Sequence, residues 1–352
     1  MTAQQDTTIH IGGPWFEDLK VGQTIDDTPA VTLTDGHAAL HMAAFGDRMR
    51  LPLDHGLSAS VTEEPRALIH PMLVSNMAIG QTTWASFRVK ANLFYRGLVL
   101  RRPVFVGDTL RTVTKIVALK QNAAKPGRAA TGLVGLEITT TNQHDDVVLK
   151  FWRCPMVACR DPNAQTGHAD SLDAMPAEIA AADLIAAVPA TWNLDHFRDL
   201  PGRHAADVKT GTTFAVEARD SVSSAPEIAR LTLNMAMTHF DAAASIYGAR
   251  LVFGGHAISI ACAQILRALP NIVTLIGWRG CDHLAPVFEN DMLSSRVYVE
   301  AVTPLEPSQF NGGGALVDLR VLVHATRGPD ATLAGQSQSA DVLDWRVVCL
   351  MA

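Results

Sequence analysis

The chain has 352 residues, 48% of them hydrophobic and only 18% charged, and its formal net charge is −6. This supplies core for about two domains, excludes a disordered chain, and lacks the basic footprint that nucleic-acid binding requires. Met1–Gly13 has neither the basic start nor the apolar run of a secretory signal, and no run reaches the ~18 apolar residues of a membrane-spanning helix, so a cytoplasmic protein with no membrane partner is expected.

The first half opens with a polar stretch, FEDLKVGQTI around Gly22, then a helical segment, HAALHMAAF (His37–Phe45). A second, more apolar helix is predicted at HPMLVSNMAIGQ (His70–Gln81). Strands rich in β-branched residues follow at TLRTVTKIVAL, GLVGLEITTTNQ and DDVVLKFWRCPMVACR. Asp161–Val188 is rich in Ala, Asp and Pro and reads as a linker, partly helical through AEIAAADLIAA. The second half repeats the plan with ADVKTGTTF around Gly211, EIARLTLNMAM and GGHAISIACAQILRAL (Gly254–Leu269), then strands at SSRVYVEAVT, ALVDLRVLVHATR and ADVLDWRVVCLM. The Gly254–Leu269 segment is apolar nearly all round, so it should be buried.

The two halves are copies. YRGLVLRRPVFVGDTL (Tyr95–Leu110) aligns with WRGCDHLAPVFENDML (Trp278–Leu293), and the identities share one offset of 183, among them Arg96/Arg279, Gly97/Gly280, Pro103/Pro286, Phe105/Phe288, Asp108/Asp291 and Leu110/Leu293. VLKFWR at Val148–Arg153 is echoed by VLDWR at Val342–Arg346. Boundaries are expected at 1–162 for the N-terminal unit, 163–189 for the linker and 190–352 for the C-terminal unit. One buried helix followed by consecutive strands implies an α+β unit in which an antiparallel sheet wraps a central helix.

The five cysteines are odd in number and form no CxxC pair, so they read as reduced interior thiols. Cys154 and Cys159 lack zinc spacing, and no metal is expected. A GxGxxG turn and a P-loop are both missing from the sequence, so no cofactor is implied.

A central apolar helix in a curled antiparallel sheet, with RPVFVGDTL (Arg102–Leu110), N-x4-H (Asn234–His239), GGHxIS (Gly254–Ser259) and LKQN (Leu119–Asn122), resembles the hotdog fold of MaoC-like enoyl-CoA hydratases. The tandem is similar to the double-hotdog members, above all the mesaconyl-CoA hydratases, and the resemblance covers nearly the whole chain apart from the linker. It implies a hydro-lyase that reversibly hydrates a branched, carboxylated enoyl-CoA, mesaconyl-C1-CoA to β-methylmalyl-CoA, with the acyl-CoA as partner and the two units joined by their sheet edges, within a homo-oligomer. Most such hydratases carry D-x-N-P-x-H-x-D before the buried helix. Unit one keeps Asp47 and has Pro52 at the His position; unit two has Asn234 at the Asp position and keeps His239.

The expected site therefore lies in unit two. His239 is the acid/base group, because imidazole titrates near neutrality. Asn234 cannot accept a proton and would orient water or the imidazole, and Asp241 would tune His239. Gly254, Gly255 and His256 would place helix N-terminal N–H groups at the thioester oxygen. Arg250 and Arg279, with Arg96, are the cations considered for the substrate's carboxylate, and Asp47 is the candidate in unit one. An acyl-CoA thioesterase and a non-catalytic acyl-CoA-binding module are the competing readings.

Overall fold

A computed structural model describes residues 8–328 and 337–352. In unit one, two short edge strands, β1 (Thr24–Ile25) and β2 (Val31–Thr32), precede helices α1 (Asp35–Phe45), α2 (Arg50–Leu53), α3 (His55–Thr62) and α4 (Pro71–Gln81). The strands β3 (Val89–Leu100), β4 (Thr109–Gln121), β5 (Thr131–Thr141) and β6 (Val147–Ala158) follow. After helix α5 (Ala181–Ala186), unit two repeats the order: edge strands β7 (Thr213–Ala215) and β8 (Asp220–Ser221), helices α6 (Ala225–Leu231) and α7 (Gly254–Ala268), then β9 (Ile272–His283), β10 (Met292–Pro304), β11 (Ala315–Thr326) and β12 (Ser339–Met351). No helix among the described residues is long and apolar enough to cross a membrane.

The strands form one continuous antiparallel sheet in the order β1-β4-β5-β6-β3-β9-β12-β11-β10-β7. The units join where β3 pairs with β9, edge to edge, as the double-hotdog resemblance implies. The register carries the internal symmetry: Tyr95 lies opposite Cys281, and Leu98, the repeat equivalent of Cys281, lies opposite Trp278, the equivalent of Tyr95. Sequence patterning named neither β3 nor β9 as a strand. Their polar Arg-Gly core lacks the usual alternation, and it is held by an Arg96–Asp282 ion pair across the joint at 2.7 Å.

Each half-sheet wraps its own central helix, giving the expected tandem hotdog. Every residue of α4 is buried, and α7 is buried from Gly255 to Leu266, as their all-round apolarity dictates. The repeat also reproduces bonds. Gln81 Nε2 donates to the Leu110 carbonyl at 3.2 Å, and Gln264 Nε2 to the Leu293 carbonyl at 3.0 Å. Asp108 and Asp291 each accept the N–H of the Phe three residues earlier at 2.9 Å, closing the same turn. The segment between the units packs down rather than spanning solvent: Leu184, Val188, Trp192 and Phe197 bury themselves against Val99, Val273, Ile276 and Val348 on the outer face of the sheet.

Candidate active site

A cavity of about 190 Å³ lies at the seam between the units. Unit two supplies Asn234, His239, Tyr247, Phe253, Gly254 and His283; unit one supplies Thr83, Ser86, Asn92, Tyr95 and Arg153.

Asn234 reaches the cavity because α6 stops early. Helix was expected through Met237, but it ends at Leu231: the Thr232 hydroxyl bonds back to the Ile228 and Ala229 carbonyls, and Leu233 turns left-handed at φ 57°. The Asn234 N–H then donates to Ala229 O at 2.9 Å, and its Oδ1 accepts the Ala236 N–H at 2.9 Å. That bond fixes the amide orientation, so Nδ2 is the donor left over, buried and without a protein partner. The loop is tied to unit one by Met235 N–H donating to Thr83 Oγ1 at 2.8 Å.

His239 ends the next turn. Its Nδ1 donates to the Leu251 carbonyl at 2.7 Å, which leaves Nε2 as the unprotonated nitrogen of the neutral ring. Burial drives its pKa down to about 4, and the nearby Arg153 charge adds to the effect, while the Leu251 bond opposes it. At neutral pH the ring is therefore a free base. His283 also faces the cavity; its Nε2 has no partner, and burial lowers its pKa to about 4.

The two central helices begin differently, and this explains which unit holds the cavity. In α4 the first helical residue is Pro71, which has no N–H, and His70 Nδ1 accepts the Met72 N–H at 3.0 Å. That helix start is closed. In α7 the preceding residue is Phe253, which offers no side-chain cap, and the start opens on the cavity at Gly254. First-turn N–H groups with no cap are suited to an oxyanion.

The structure thus brings His239, Asn234 and Gly254 together and separates the other residues expected there. Asp241 is exposed and caps the turn Ala242–Ala244, its Oδ1 accepting the Ala243 N–H at 2.9 Å. Gly255 faces away from the cavity, where a Cβ would strike Asn76 Oδ1 and the Phe253 ring. Gly254 is required for a similar reason, since a Cβ there would lie 2.6 Å from the His283 ring. The absent Cβ atoms of this pair make room for His283, Asn76 and Phe253. His256 is fully buried away from the cavity, its ring edge-on to Phe45 at 4.9 Å and its N–H spent on Phe253 O; two residues along a helix is about 200° around it.

The three surface arginines are already paired with acids: Arg250 with Glu289 at 2.9 Å, Arg279 with Asp318, and Arg96 with Asp282. Asp47 is buried outside the cavity, 3.0 Å from His70 Nε2. With Cys262 these two form a group whose potential ligand atoms all lie within 4.8 Å of one another. His70 Nδ1 accepts from Met72, so its Nε2 carries the proton and acts as a donor, the wrong disposition for a metal ligand. Patterning in unit two could not reveal Ser86, Tyr95 or Arg153 of unit one, and His283 stands in no motif of its own. Arg153 alone left a trace, as a lone charge inside the apolar run FWRCPMVAC.

No family model matches the chain. A β-methylmalyl-CoA dehydratase of Chloroflexus aurantiacus is 31% identical over 360 residues, covering 96% of this chain and 97% of the relative. A mesaconyl-CoA hydratase of Cereibacter sphaeroides is 28% identical over 328 residues, 89% of this chain and 90% of the relative. Among solved structures, a conserved hypothetical double-hotdog protein of Mycobacterium tuberculosis superposes with a TM-score of 0.85 at 44% identity, over 98% of this chain and 100% of the other. A MaoC domain dehydratase of Chloroflexus aurantiacus gives 0.76 at 29% identity, over 96% and 97%. With the tandem fold and the seam cavity, these likenesses show that the chain belongs to the MaoC-like double-hotdog hydratase/dehydratase family.

Proposed function

We propose that the seam cavity is the active site of a hydro-lyase that adds water reversibly to the double bond of an enoyl-CoA, converting mesaconyl-C1-CoA to β-methylmalyl-CoA. One observation carries this reading: a neutral imidazole, fixed by Leu251 so that Nε2 is basic, stands with an unpaired amide donor at an uncapped helix start. The volume, about 190 Å³, compares with the ~150 Å³ that holds benzene and suits a short branched acyl group.

In the hydration direction Asn234 Nδ2–H holds the water oxygen and His239 Nε2 takes its proton. The oxygen bonds to Cβ, and the alkene electrons pass to the thioester oxygen, which the first-turn N–H groups at Gly254 stabilise. The protonated Nε2 then returns a proton to Cα. Dehydration runs the same steps backwards. The scheme needs neither metal nor redox cofactor, and the CoA thioester is its only partner.

The test is loss of the enoyl-thioester absorbance with mesaconyl-C1-CoA and crotonyl-CoA, with thiol release followed in parallel. The expected result is loss of absorbance without thiol, abolished in His239→Ala. Thiol release would reassign the chain as a thioesterase, and binding without turnover would make it an acyl-CoA-binding module. Unchanged turnover in His239→Ala would move the site elsewhere.

A further inference from the structure

We propose that Arg153 binds the free carboxylate of the substrate and so selects thioesters carrying a carboxylate on Cβ over those ending in an alkyl group. The proposal deepens the hydratase reading and rests on it for the placement of Cβ beside His239.

Arg153 sits on β6 of unit one, lines the cavity and is 3% exposed. Its Nη2 donates to Ser86 Oγ at 2.6 Å and to the Thr82 carbonyl at 3.3 Å, and its Nε–H has no partner. Among the described residues no carboxylate pairs with it. Its repeat counterpart, Arg346, lies at the surface, 3.4 Å from Glu300, and the buried Arg327 is paired with Asp291. A guanidinium does not shed its proton in proteins, and burying one without a counter-charge is strongly unfavourable. Such a cation facing a cavity is a receptor for an anion that arrives with the ligand.

The location identifies the anion. Arg153 and His239 line the same cavity of about 190 Å³, and the guanidinium charge lowers that ring's proton affinity. It therefore serves the reacting end of the acyl group and not the distant phosphates of CoA. In mesaconyl-C1-CoA the carboxylate is bonded to Cβ, the carbon that water attacks beside His239. Crotonyl-CoA has a methyl group there, which would leave the guanidinium buried without a counter-charge.

Succinyl-CoA and butyryl-CoA provide a non-reacting probe pair, because they differ at this one position, carboxylate against methyl. Calorimetric titration of the wild type is expected to show succinyl-CoA binding at least about tenfold tighter, as a charge-assisted bond in a desolvated site supplies. Arg153→Gln, whose amide can still bond to Ser86 and Thr82, should abolish the preference, and so should Arg153→Met. In turnover, either variant should lose far more kcat/KM for mesaconyl-C1-CoA than for crotonyl-CoA. Equal wild-type binding of the two thioesters, or a preference that survives in a folded variant, overturns the proposal. Should neither variant fold, the wild-type binding ratio alone decides it. A wild type that prefers succinyl-CoA yet hydrates nothing would sink the hydratase reading and leave Arg153 as the carboxylate site.

Discussion

Asn76 Nδ2 donates to Ser259 Oγ at 2.9 Å, and these residues are 183 apart, the spacing that separates equivalents throughout the repeat. The central helices thus meet at the internal twofold through the same position of each copy. The Ser259 hydroxyl also donates to the Gly255 carbonyl at 2.9 Å, and Asn76 Oδ1 lies against Gly255 itself. The cavity's helix start is therefore braced from unit one. Gly255→Ala is expected to destabilise the fold by about 1–3 kcal/mol through overpacking. It should also lower turnover by displacing Phe253 and Gly254. Asn76→Ala removes one of the two obstructing groups, so denaturant melts of the double variant should show less than the summed loss. Strict additivity would mean that the brace does not exist.

The His239 protonation state can be read from pH–rate profiles. Because burial holds its pKa near 4, kcat/KM should stay level well below the ordinary histidine range and fall only towards pH 4. Asn234→Asp places a carboxylate where the amide stands, and an opposite charge favours the imidazolium. The acidic limb should then move upward, towards neutrality, with weaker turnover at pH 5 than at pH 7. An acidic limb that stays in place in this variant would show that Asn234 and His239 do not act on the same water.

Stability should depend on pH through the same physics. His239, His256 and His283 all titrate near pH 4 in the folded chain because burial disfavours their charged forms, and near 6.5 when unfolded. Between those values the unfolded chain binds more protons, so stability is full above pH 6.5 and declines as pH falls towards 4. Urea melts should show at least about 2 kcal/mol less stability at pH 5 than at pH 7. Equal stability at the two pH values would mean that these rings are already charged or solvated in the native state.

The repeat, the two buried helices and the outer strands were legible because apolar periodicity and turn residues record them directly. So were His239 and Asn234, which sit in one contiguous motif. The joint strands β3 and β9 were not, because their Arg-Gly segments pair backbone to backbone across the seam, with Arg96 held by Asp282 of the other unit, rather than following a local apolar pattern. The unit-one half of the cavity was hidden for a related reason. Ser86 and Arg153 lie far from Asn234 in the chain and meet it only when the sheets join. His256 misled because GGH is contiguous in sequence, whereas a helix turns Gly254 and His256 to opposite sides.

Asp47 tests whether unit one retains chemistry. It accepts the Met49 N–H at 2.8 Å and lies 3.0 Å from His70 Nε2, whose ring packs against His41 at 4.9 Å, with Cys262 beside the pair. With Pro71 and the His70 cap, the helix start in this unit offers no open N–H groups to a thioester. The acid therefore orients His70 and supports the loop, buried outside the cavity lining. Asp47→Asn keeps an acceptor for the Met49 N–H or for the His70 Nε2–H, as an amide carbonyl that accepts a hydrogen bond without carrying charge. It should leave kcat/KM at the wild-type level while lowering stability by about 1 kcal/mol. Asp47→Ala, which strands His70 without its acceptor, should cost about 1–3 kcal/mol and still leave the folded enzyme active. Steady-state rates at a temperature where both variants are folded separate the two effects. A loss of turnover as deep as that of His239→Ala would place a second reacting group in unit one and show that its buried cluster opens to substrate.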